Sequence, residues 1–104
     1  MSLTALTAKF AALGAQRLQR LGNLVVRLEQ GEDRTAAGRE AQRELHTLKG
    51  EARILGFRRT EQIAHAAEEI LHRALAADPF PEEAARALLF GLDRLSELVA
   101  GIAR

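Results

Sequence analysis

Apolar residues recur three and four positions apart in four stretches of this chain, separated by three short interruptions. From about residue 4 to residue 30 the stripe is Leu6, Phe10, Leu13, Leu21, Leu24, Val25 and Leu28. Gly31 follows, suited to the left-handed position just past a helix end. A second stripe, Ala37, Ala41, Leu45, Leu48, Ala52 and Leu55, predicts a helix over roughly 35–55. Asp33 or Thr35 can cap its start, and Gly56 and Phe57 close it. Thr60 is the expected cap of a third helix, roughly 60–77, whose buried face is Ile63, Ala67, Ile70 and Ala74 with Ala64, Leu71 and Leu75 beside them. Asp78-Pro79-Phe80-Pro81 stops that helix and starts the next. Pro79 cannot continue a helix, whereas Pro81 suits the first position of a new one, with Glu82 and Glu83 near its positive end. The fourth helix, roughly 81–103, carries the cleanest seam: Ala85, Leu88, Leu92, Leu95, Val99 and Ile102.

Connections this short force consecutive helices to run antiparallel. The expected fold is therefore all-α, an up-down-up-down four-helix bundle forming a single domain over 1–104. Composition agrees: among 104 residues there are four Phe and no Trp or Tyr, so the core must come from Leu, Ile, Val and Ala. Ala and Leu favour helices over strands. The absence of Cys excludes a disulfide framework and a thiolate zinc site. A net charge of +1, with arginines interleaved among glutamates, argues against nucleic acid as a partner. No apolar run approaches the roughly 20 residues needed to span a bilayer. The N-terminus lacks a basic region followed by an apolar one, so the expectation is a cytoplasmic protein with no membrane partner.

Candidate chemistry concentrates on the second helix, in the run from His46 to Phe57. At about 100° per residue the stripe Leu45, Leu48, Ala52, Leu55 centres roughly 140–160° away from His46, so His46 points to solvent. Lys49, Gly50 and Arg53 lie near its side of the wheel. Gly in a helix interior costs about 1 kcal/mol relative to Ala, and its use is to let another backbone or a bulky group approach. Lys49 is one of only two lysines, with Lys9. It supplies a compact charge suited to a phosphoryl group on the neighbouring imidazole. Read from the residues alone, an ordinary surface His and an incidental Gly fit equally well.

The run His46, Thr47, Leu48, Lys49, Gly50, Ala52, Leu55, Gly56 resembles the signature of histidine-phosphotransfer (HPt) domains. That resemblance implies that His46 is phosphorylated, that Lys49 faces the phosphoryl group, and that Gly50 leaves room for a docking receiver domain, with Arg53 on the same face. His65 and Glu68 on the third helix are similar to a pair in chemotaxis-type (CheA-like) bacterial histidine kinases, where such residues form a hydrogen-bonded network with the phosphorylated His and the Lys. Glu68 would then fix the His46 tautomer by accepting from Nδ1–H, leaving Nε2 as nucleophile, with His65 in support. The resemblance implies partners: a kinase ATP-binding domain that phosphorylates His46, and a receiver whose Asp takes the group onward. No Gly-rich nucleotide loop or Mg²⁺ cluster is present, so no cofactor is expected on this domain, and ATP and Mg²⁺ come from its partners. The chain reads as the first module of a larger kinase, or, second, as a free-standing phosphotransfer protein. Two departures from the kinase pattern bear on partner choice. Ala15, Gln16 and Gly22 stand on the first helix where acids are common, and Glu51 stands where small residues are common.

Two other classes compete. One is a non-catalytic adaptor or dimerisation bundle built on the Leu88–Ile102 seam. The other is a metal-binding bundle using His65, Glu68 or Glu69, and His72, although no other helix supplies a matching Glu-x-x-His.

Overall fold

The computed structural model describes residues 2–102, which form four α-helices: α1 (Leu3–Glu29), α2 (Arg34–Leu55), α3 (Arg58–Leu75) and α4 (Glu82–Ile102). Each packs on the next and α4 returns to α1, closing a square with no diagonal contact among the described residues. Paired positions run in opposite order. Phe10 of α1 stacks on Phe57, just past the end of α2, and Arg17 of α1 meets Glu44 of α2. Between α2 and α3, Gly38 lies against Leu75 and Arg53 faces Glu61. The seven steps from Leu75 to Glu82 stretch to at most about 25 Å, short of the start of an 18-residue helix about 27 Å long. So α4 also reverses direction, and the fold is the all-α up-down-up-down bundle.

The core is aliphatic. Leu21, Leu28, Leu45, Leu48, Leu71, Leu88, Leu95 and Val99 are fully buried. Between α2 and α3 small residues set the spacing: Ala37, Ala41 and Ala52 on one side, Ala64, Ala67 and Ala74 on the other. At Gly38 the approach is closest, since a Cβ there would stand 2.8 Å from Leu75 Cδ2. Two of the expected core leucines are not in the core. Leu6 and Leu13 are 41% and 40% exposed, while Leu18, off the expected stripe, is buried. The reason is that Ala11 and Gly14 take the inward positions of the first turns, which rotates Leu6 and Leu13 toward the side of the helix.

The helix ends differ from expectation in physically legible ways. Asp33 precedes α2 in a left-handed conformation with no side-chain cap bond, because its carboxylate is 3.0 Å from Arg27; Thr35 lies inside the first turn. Thr60 does not cap α3: that helix begins at Arg58, after Phe57, and Thr60 is buried in its first turn. The third helix stops at Leu75, short of residue 77. Pro81 stands one residue before α4, its carbonyl accepting from Ala85 N–H at 3.1 Å. Residue 103, the expected end of the fourth helix, lies outside the described residues. Gly56, at φ 80, adopts the left-handed conformation that ends α2, and Phe57 N–H donates back to the Ala52 carbonyl.

At the opposite end of α2, Arg34 spans two helices. Its guanidinium donates to the carbonyls of Ala74, Leu75 and Ala77, at and just past the end of α3, and lies 5.9 Å from the centre of the Phe80 ring.

Candidate functional site

His46 lies mid-way along α2 on its outer face, because Leu45 and Leu48 turn inward on either side of it. Its side chain is 74% exposed. From α3, Glu68 reaches across, with Oε2 at 3.4 Å from His46 Nδ1 and Oε1 at 2.7 Å from Lys49 Nζ. The first distance is longer than an aligned N–H···O bond and is a polar contact. The second is a close ion pair set off the hydrogen-bond direction, for Oε1 is buried without an aligned donor. Lys49 and Glu68 are both about three-quarters buried, so water screens their attraction less than it would a surface pair.

One carboxylate thus holds both the imidazole and the ammonium. With Nδ1 turned to Glu68, the other ring nitrogen is the one left for an incoming electrophile. The Lys49 charge stands about one turn along α2 from His46, on the same carboxylate.

His65 belongs to the same surface but to a different pair. Its Nε2 lies 3.1 Å from Glu69 Oε1 on the same helix, and both side chains are more than half exposed. The shared network implied by resemblance places His65 with Glu68, whereas here Glu68 is drawn across to Lys49 and the i,i+4 neighbour Glu69 takes the imidazole. His65 still borders the polar depression between α2 and α3, together with Lys49, Glu68 and His72. Among the described residues no three His, Asp or Glu side chains converge as a metal site.

Gly50, one turn beyond His46, has nothing within 4 Å of where a Cβ would stand. Arg53 is 79% exposed and its Nε is 3.9 Å from Glu61, a loose contact that leaves the guanidinium available. Glu51 faces α1, 3.8 Å from Arg17, which itself lies 3.0 Å from Glu44. Sequence reasoning missed the apolar cleft beside it, where Leu6 and Leu13 of α1 meet Ile54 and Leu55 of α2. The available signal was Ile54, an apolar residue about 200° from Ala52 and so off the buried stripe.

Comparison with known proteins agrees with this geometry. Residues 5–104 match the family model described as Hpt domain. The gliding motility regulatory protein of Myxococcus xanthus is 42% identical over 93 residues, which is 89% of this chain and 12% of the relative. The chain therefore spans about an eighth of the length of that relative. No solved structure matches. A four-helix bundle with an exposed His on its second helix, a Lys one turn on and a match along nearly the whole chain belongs to the Hpt domain family.

Proposed function

We propose that His46 is the phosphoryl carrier of a signalling relay, loaded by the ATP-binding domain of a chemotaxis-type histidine kinase and unloaded by a receiver-domain Asp. The observation that carries this reading is the contact of Glu68 with both His46 Nδ1 and Lys49 Nζ. Nε2 attacks the γ-phosphorus of ATP held by the kinase, the N–P bond forms, and the bond to the β,γ-bridging oxygen breaks as ADP leaves. The ring keeps its Nδ1 proton and becomes cationic, a charge that the Glu68 carboxylate opposes. In the second step an Asp oxygen attacks phosphorus, the N–P bond breaks, and the imidazole returns neutral. Lys49 faces the phosphoryl oxygens in both directions. ATP and Mg²⁺ are substrate and cation of the partner domains, and this domain supplies the nucleophile, its orientation and one positive charge. The relative's name, a gliding motility regulatory protein, supports a place in motility signalling.

His46→Gln tests the assignment. It should abolish acid-labile, base-stable phosphorylation by a cognate kinase core and leave helicity and melting nearly unchanged, because the side chain is exposed. Undiminished labelling of this variant would sink the assignment. A wild-type chain that takes no phosphate would favour the adaptor bundle.

A further inference from the structure

The outer face of α2 carries a row of cations with His46 in its middle. Arg39, Arg43, Lys49 and Arg53 all lie within about 60° of His46 around the helix, and the row extends about 10 Å along the axis on either side of the imidazole. Carboxylates of the same helix are turned away: Glu40, Glu44 and Glu51 lie about 120–160° from His46. Glu44 is moreover taken by Arg17 and Arg20 of α1. Two carboxylates reach the row from α3, Glu68 at Lys49 and Glu61 at 3.9 Å from Arg53. Arg39 and Arg43 are exposed, and among the described residues neither meets a carboxylate. Arg58 of α3 adds its charge to the groove that Lys49 and Arg53 line. In a chain whose net charge is only +1, this face concentrates one sign.

Such a row acts on a partner before contact. Arg43 lies about 4.5 Å along the axis from His46, and Arg39 about 10 Å, roughly one Debye length at physiological salt. The sign of the row suits one encounter better than the other. In loading, His46 is empty and the donor arrives with the triphosphate of ATP foremost, an anion whichever protein holds it. In unloading, His46 itself carries a phosphoryl group of about two negative charges, which offsets the row from within. We propose that the row, through Arg39 and Arg43 above all, is a steering surface for the ATP-bearing, acidic face of the kinase domain. It draws in and orients that face while His46 is empty, and its attraction weakens once the phosphoryl group is in place, so the spent donor leaves. The inference rests on the phosphotransfer reading and names what directs its first step.

The test uses the full chain with a separate kinase core that phosphorylates the wild type, at saturating ATP, so that loading is bimolecular in the two proteins. Charge reversal at both positions, Arg39→Glu with Arg43→Glu, should lower kcat/KM for loading on the order of tenfold at low salt, through KM. The deficit should shrink to within about twofold near 0.5 M salt, where such charges are screened. Arg39→Lys with Arg43→Lys keeps the charge and should load within about twofold of wild type, which a role in bidentate contact would not allow. Transfer from the loaded, reversed chain to a receiver should fall by less than about threefold. Unchanged loading by a folded reversed variant overturns the proposal. So does a deficit that salt leaves undiminished, or a lysine pair that fails to restore loading. An equal or larger loss in transfer to the receiver also overturns it, because the row would then serve unloading. If circular dichroism shows the reversed variant unfolded, the wild type decides: its loading must slow with salt more steeply than its unloading, and any other order refutes the row. Absence of phosphate on wild-type His46 overturns the phosphotransfer reading itself, and that control is read before any variant is compared.

Discussion

The two flanks of His46 are built from opposite materials. Toward α3 the surface is polar and much of it is paired internally: Lys49 with Glu68, His65 with Glu69. Toward α1 it is mostly hydrocarbon, with Leu13 and Ile54 exposed and only Lys9 and Glu51 charged among the residues lining the cleft. In the proposed phosphotransfer, groups that orient the imidazole and face phosphoryl oxygens have to be in place before a partner arrives, and the largely buried Lys49–Glu68 pair meets that need. Apolar area contributes nothing until a partner covers it, and then contributes in proportion to the area removed from water. In that transfer the charged flank would orient the reacting groups and the apolar flank would not, and three substitutions can break or sharpen that contrast.

The largest effect is expected on the charged flank. Glu68→Gln should slow phosphorylation of His46 on the order of tenfold to a hundredfold, as for the carboxylates that orient metal-bound imidazoles. The amide still accepts from Nδ1–H but no longer opposes a positive ring. Kinase-dependent labelling, followed over time, measures it, and labelling at the wild-type rate would place the chemistry elsewhere.

An intermediate effect is expected at the boundary between the flanks. Gly50→Leu fills the gap beside His46, so transfer to a receiver should fall by about an order of magnitude, comparable to losing a central interface contact. The same change should raise stability by about 0.5–1 kcal/mol, because Leu is the better helix former and meets no neighbour within 4 Å at Cβ. Melting temperature and transfer rate should therefore move in opposite directions. Labelling by a small phosphodonor such as phosphoramidate needs no protein-sized footprint and should survive better. Normal receiver transfer by a stable Gly50→Leu chain would mean that docking occurs on another face.

The smallest effect belongs to Glu69→Gln. Its carboxylate is about 100° around α3 from Glu68 and pairs only with His65, so labelling should change by less than about threefold. Equal losses from Glu68→Gln and Glu69→Gln would show that the two acids act as one cluster and that the charged flank has no single orienting group.

Much of this was legible in the spacing of apolar residues. The outward direction of His46 follows from the inward direction of Leu45, Leu48 and Ala52, because a rigid helical period leaves no freedom once one stripe is buried. What the period does not carry is competition among side chains. Leu6 and Leu13 fit the spacing of α1, yet Ala11 and Gly14 take the inner positions because the packing of small residues lets the helices approach more closely. Asp33 has the chemistry of a cap, but Arg27 offers its carboxylate a full charge instead of an amide hydrogen. His65 could have met either of two acids, and the choice is set by Lys49 on another helix. Each departure turns on a partner distant in sequence or on a balance of two contacts of similar strength, and neither can be read along one helix.

Arg34 has a consequence for the site at the other end of its reach. Its contacts with the last carbonyls of α3 index the two helices against each other along their axes, like a pin through two sliding rods. Glu68 lies seven residues before Leu75, close to two whole turns, so the side chain that leaves α3 toward α2 at Leu75 is followed on the same face by the carboxylate. A slip of a single residue would move Glu68 by about 1.5 Å along the axis and turn it by about 100°, carrying it off the face that meets His46 and Lys49. The level at which the imidazole finds its carboxylate is thus fixed about 10 Å away, by a guanidinium that touches neither.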